Sequence, residues 1–181
     1  MGDATQRTIA NLLLTQLVWF ACVLGGDAWA VAALLHLLIY RQWLGSDADW
    51  PLLGEVAAIG YGVDSSIAAL GYMEYNNAHT FSGLLPAPLL PAPLWLAALW
   101  LSFATLFRHG LQWLQGRLWF AAALGAIAGP LTYYAGIQLG AASAGSSMWV
   151  FLLLHAVLWA IMTPLFACLA RRMPDATTSA A

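Results

Sequence analysis

An acid in the middle of a long apolar run is the residue in this chain best placed to do chemistry. Asp64 lies in Gly60-Tyr61-Gly62-Val63-Asp64-Ser65-Ser66, near the midpoint of the third apolar segment. A carboxyl group held away from water serves as a proton carrier, a cation ligand or a general acid-base group with a raised pKa. Fixed by donors from a neighbouring helix, the same group only holds the helices together. At about 100° per residue, Gly60, Asp64, Ile67 and Gly71 form one stripe. That stripe of small residues permits close helix contact, so Asp64 is expected between helices and not toward lipid.

Other polar side chains at depth complete a candidate buried centre: His36, Asn11, Gln16, Tyr133, Gln138 and His155. His36, at mid-depth in the second segment, is a proton relay or ligand if it meets Asp64, and a structural donor otherwise. In the first segment Thr8, Asn11, Thr15 and Trp19 share a face with Gln16 beside it, which reads as interhelical hydrogen bonding or as a polar ligand site. Glu55, nine residues before Asp64, points to roughly the opposite side of an ideal helix, and an acid in a first turn favours the helix dipole. In the fifth segment Gly125, Gly129, Gly136 and Gly140 give two small-xxx-small repeats. Gly129-Pro130 interrupts the hydrogen-bond ladder and predicts a kink. The freed carbonyl of Ala126 would line a cavity with Thr132, Tyr133, Tyr134 and Gln138, with His155 as polar neighbour.

The chain carries no CxxC, HExxH, Walker A loop, GxSxG or GxGxxG pattern, and its four histidines have no metal-ligand spacing. No metal, no cofactor and no nucleic-acid partner is expected. Cys22 and Cys168 fall at opposite ends of the bundle inferred below, too far apart for a disulfide.

The elements that must position these residues are apolar helices. Of 181 residues 62% are hydrophobic and 8% charged, with mean hydropathy +0.75; so little polar surface cannot cover a water-soluble globule. Lipid is the expected solvent, and the apolar runs are too long for barrel strands. Spans of roughly twenty residues predict an all-α polytopic bundle with helices near 8–24, 28–44, 53–72, 93–114, 118–142 and 148–170. An outer loop over 73–92 carries Glu74, Asn76, Asn77, His79 and a proline-spaced stretch, read as a stiff surface connection or a lid. Residues 174–181 read as a disordered tail of the single domain 1–173.

Every basic residue is an arginine, and Arg7, Arg41, Arg108, Arg117, Arg171 and Arg172 alternate with apolar segments so that all fall on one side. Both termini are therefore expected in the cytoplasm. Trp29, Trp95 and Trp149 then fall at outer helix ends, and Trp43, Trp50, Trp113 and Trp119 at inner ones. Arg108 enters early in the fourth segment, so either the helix ends there or the side chain snorkels. Arg7, the first apolar stretch and Ala28-Trp29-Ala30 also read as a cleavable signal peptide, which would leave five helices; polar Asn11, Thr15 and Gln16 favour retention.

Asn11 through Gly25 with Gln16-Leu17-Val18-Trp19-Phe20 inside it, Gly60 to Ser65, Pro93-Leu94-Trp95-Leu96 through Trp113, and Gly129-Pro130-Leu131-Thr132-Tyr133 through Gly140 form a spaced combination over nearly the whole chain. It resembles a family of small bacterial inner-membrane proteins, domain of unknown function 2878. The resemblance implies a compact multi-pass protein of the bacterial inner membrane and supplies no activity and no catalytic residues. Occurrence of relatives near lipid-modifying enzymes points toward lipid metabolism or membrane stress. The preferred reading is a bundle that binds or moves a lipid or small hydrophobic molecule around a polar centre at Asp64. A membrane enzyme using Asp64 or Glu55 with His36 or His155 as acid-base groups is the second. An accessory subunit packing through its glycine faces is the third. Three helices on each side of the long loop would permit an inverted repeat, though no sequence symmetry supports one.

Overall fold

The computed structural model describes residues 3–76 and 92–173. Six α-helices carry the chain: α1 (Asp3–Gly25), α2 (Val31–Ile39), α3 (Trp50–Ala69), α4 (Leu94–Ala104), α5 (Leu118–Gln138) and α6 (Met148–Arg172). Two strands, β1 (Met73–Tyr75) and β2 (Ala142–Ala144), pair antiparallel with Glu74 opposite Ser143. Helix starts follow local chemistry. Pro51 occupies the first turn of α3, where its missing N–H costs nothing, and the Ser147 hydroxyl accepts from Val150 N–H to cap α6. Pro93 cannot cap α4 by side chain; Asp27, from the turn after α1, accepts the Trp95 N–H at 2.9 Å instead. A carboxylate there also favours the positive end of the helix dipole.

By length and composition, three helical stretches could cross a membrane: Thr5–Trp29, Leu118–Gln138 and Met148–Arg172. Val31–Leu44 and Leu94–Arg108 are apolar but shorter. Leu13, Leu17, Leu38, Leu153 and Ile161 are exposed, while Leu52, Phe107, Phe151 and Phe166 are closed off inside. Apolar side chains thus cover the outside of the helices as well as the core.

Several expectations change. The helical class gains a two-stranded ladder, so it is not strictly all-α. The fourth helix stops well before 114: α4 gives way to a 3-10 turn over Thr105–Arg108, then to an irregular connection. The fifth ends at Gln138, short of 142, because Gly140 takes φ +83° and turns the chain into β2. α5 runs as one helix through Pro130. Most of the 73–92 connection, including Asn77, His79 and the proline stretch read as a lid, lies outside the described residues, as does the tail 174–181.

The ladder reveals a repeat. Gly71 (φ +75°) ends α3 as Gly140 ends α5. Tyr72 N–H returns to Ile67 C=O and Ala141 N–H to Gly136 C=O, each at 3.0 Å, the same helix stop twice. The same interval along the chain separates Gly60 from Gly129, Asp64 from Tyr133 and Gly71 from Gly140. Across the centre Trp100 of α4 stacks on Trp159 of α6 (5.5 Å, 16°), and Phe107 meets Phe166 edge to face at 5.6 Å. The units α3–β1 and α5–β2 thus repeat one pattern of helix, glycine stop and strand. Both α3 and α5 end at the ladder.

The opposite end gathers arginines. Arg108 Nε donates to Asp49 Oδ1 at 2.7 Å, and its Nη1 to Ala170 C=O at 3.4 Å, with both charged side chains nearly closed to solvent. Tyr40 donates to the other Asp49 oxygen at 2.9 Å. Arg108 therefore ends its helix and is locked in a buried ion pair.

Candidate functional site

Asp64 is 2% exposed, on the face of α3 that turns toward α4 and α6. Trp100 Nε1 donates to its Oδ2 at 2.7 Å and the Tyr133 hydroxyl to its Oδ1 at 2.6 Å. Both carboxylate oxygens are satisfied by neutral donors from other helices. Gly60, one turn earlier, makes room: a β-carbon there would strike the Trp100 ring. Gly129 and Gly125 do the same on α5, where a β-carbon would strike the Trp159 ring and the Trp159 carbonyl.

The predicted centre comes together only in part. Asp64 and Tyr133 meet directly. His155 lies with its ring 4.4 Å from that of Tyr133, its Nδ1 2.9 Å from Phe151 C=O, which fixes the proton on Nδ1. His36 is buried but faces Tyr40 (6.5 Å), not Asp64. Asn11 Nδ2 donates to Thr105 Oγ1 at 2.8 Å, tying α1 to the end of α4. Gln16, Gln138 and Glu55 are exposed, and of the three only Gln16 borders the cavity described next. Gly125 and Gly129 pack, whereas a β-carbon at Gly136 or Gly140 would meet nothing, so the second glycine repeat is not a helix contact. Gly71 likewise meets nothing and acts through its positive φ.

Beside this cluster lies a cavity of about 680 Å³ between α1 and α5, backed by α4 and α6 and closed at one end by the ladder. Trp19 and Phe20 form one wall, Leu124, Ala128 and Gly136 the other; Trp100, Phe103 and Trp159 form the back. Thr132 and Tyr133 line it as expected, while Tyr134, Gln138 and Ala126 do not. Among the described residues that line it there is no Asp, Glu, Lys, Arg or His. Trp100 and Tyr133 turn their donors onto Asp64 and leave carbon facing the lumen. Asp64 thus shapes the wall from behind and positions two of its aromatic rings.

Residues 8–165 match the model of a family described as Protein of unknown function (DUF2878). The chain belongs to that family. No curated protein and no solved structure matches it.

Sequence reasoning did not find Trp100, Trp159 or the Asp49–Arg108 pair. One signal was present: Trp19, Trp100 and Trp159 are the three tryptophans that fit neither interfacial belt, and all three line the cavity. Among the described residues no cluster of three His, Cys, Asp or Glu side chains could hold a metal. At the arginine end, burial first, with Arg108 and Arg7 adding to it, holds the His109 imidazole below its ordinary pKa against the pull of Asp49.

Proposed function

We propose that this protein is a multi-pass protein of the bacterial inner membrane, with both termini cytoplasmic, that binds a lipid or small hydrophobic molecule in the cavity between α1 and α5. The observation that carries the reading is the cavity itself, large, mostly apolar in its wall and with no charged side chain among its described lining residues. A hydrocarbon chain there gives up no polar contact, whereas an ion would be left unpaired at high cost. The volume lies within the range of ordinary small-molecule sites, about 300–1,000 Å³. Exposed leucines on α1 and α2 and the grouping of arginines at one end support the membrane setting and its orientation. Asp64 then acts as a positioning residue. Its two oxygens hold the rings of Trp100 and Tyr133, which bear the contact with the chain. Acid-base catalysis by Asp64 is less well supported, because both oxygens are engaged and His36 does not reach it.

Gly136→Leu tests the reading. Gly136 lines the cavity and a β-carbon there meets nothing within 4 Å, so the fold should persist while the leucine fills the cavity. Native mass spectrometry from mild detergent should find a lipid adduct on the wild type and none on the variant. An equal adduct on both proteins would remove the cavity from consideration.

A further inference from the structure

We propose that the occupant is a lipid ester whose carbonyl oxygen sits at the ladder end of the cavity, between Tyr75 and Trp95, with its chain running inward along α5. This rests on the reading of the cavity as a lipid site. Trp95 is 3% exposed, yet its indole N–H has no hydrogen-bond partner among the described residues. The Tyr75 hydroxyl has none either. The two rings meet edge to face at 5.9 Å, so the two side chains are neighbours, and both form part of the cavity wall. An indole N–H can only donate, so what is missing is an acceptor.

The remaining wall groups narrow the chemistry. Trp100 and Tyr133 are committed to Asp64, and the Thr132 hydroxyl to Ala128 C=O, while the Gln16 amide stands exposed on the α1 wall, away from the Tyr75–Trp95 pair in the chain's order of elements. Thr15 and Thr163 hydroxyls also lack partners, but a threonine on a helix can turn back to a carbonyl of its own preceding turn. With no cationic side chain in the wall, a carboxylate or phosphate oxygen would be unpaired there. An ester carbonyl accepts strongly and carries no charge. Its level also fits. Trp95 opens α4 and Tyr75 follows α3, at the end of the apolar helices, where tryptophan and tyrosine favour the membrane interface.

Quenching of tryptophan fluorescence in detergent by two brominated probes tests this: dibrominated stearic acid methyl ester, and dibrominated octadecane, which lacks the carbonyl. The wild type should bind the ester roughly tenfold more tightly, as expected for neutral hydrogen bonds in a dry site. Tyr75→Phe combined with Trp95→Phe should bring the two probes level while leaving octadecane binding unchanged. Trp95→Phe alone, which keeps the ring packing, should narrow the ratio and serves if the double variant unfolds. Equal binding of both probes by the wild type would overturn the ester assignment and leave the lipid site standing. Quenching by neither probe beyond that in Gly136→Leu would overturn the lipid site itself.

Discussion

Asp49 and Asp64 are both buried acids, at 3% and 2% exposure, and the protein answers them in opposite ways. Asp49 meets a cation, Arg108, together with the Tyr40 hydroxyl. Asp64 meets only the neutral donors of Trp100 and Tyr133. The first cluster holds the arginine end together, where α4 stops and α6 finishes. The second holds aromatic rings in place against a cavity. A buried acid is therefore no sign of chemistry until its partners are known, and here the partners assign a clamp in one case and a scaffold for a cavity wall in the other.

Removing the charge partner should break the first cluster most severely. Arg108→Gln is expected to cost about 3–5 kcal/mol, because it leaves Asp49 buried without its cation. Adding Asp49→Asn should restore much of that loss; thermal unfolding of the two single variants and the double variant measures it. Asp64→Asn should cost less, about 1–3 kcal/mol, since an amide offers one acceptor where the carboxylate offers two and sets an N–H against a donor. A loss as large as that of Arg108→Gln would mean that the Asp64 charge itself is required. Packing gives a third contrast: Gly129→Ala should destabilise by about 1–3 kcal/mol through its collision with Trp159. Gly136→Ala should be neutral or stabilise by up to about 1 kcal/mol, the helix-propensity difference.

The smallest effect is pH dependence at the arginine end. With its folded pKa depressed, His109 contributes stability that is present above its unfolded value and lost as pH falls through that value toward the folded one. His109→Gln should flatten the melting-temperature profile below neutral pH, and an unchanged slope would assign the dependence to other groups.

The helical class and the burial of Asp64 were legible because both follow from local pattern: long apolar runs, and a stripe with Gly60 at helical spacing. The ladder was not legible. Met73-Glu74-Tyr75 and Ala142-Ser143-Ala144 are too short to show a period, and their pairing joins distant segments. The partners of Asp64 were hidden for a similar reason. Depth alone made His36 as good a neighbour as Tyr133, and only the tertiary packing that brings Tyr133 of α5 onto Asp64 decides between them. Loop charge counts Arg108 as an orientation marker and passes over its pairing, since Asp49 reads in sequence as one of several acids in a turn. The glycines of α5 divided because sequence spacing puts four on one face, while α6 covers only Gly125 and Gly129.

Photolabelling compares the cavity directly with the outer face of α6, equally apolar and exposed through Leu153, Val157 and Ile161. A phosphatidylcholine carrying a diazirine midway along one chain would be incorporated with the protein into vesicles, activated, and its adducts mapped by peptide mass spectrometry. Labelling should concentrate on the cavity walls, at Leu124, Ala128 and Gly136 of α5 and Trp19 of α1, and fall sharply there in Gly136→Leu. Labels spread evenly between those residues and the outer face of α6, unchanged by the plug, would contradict a lipid-binding cavity.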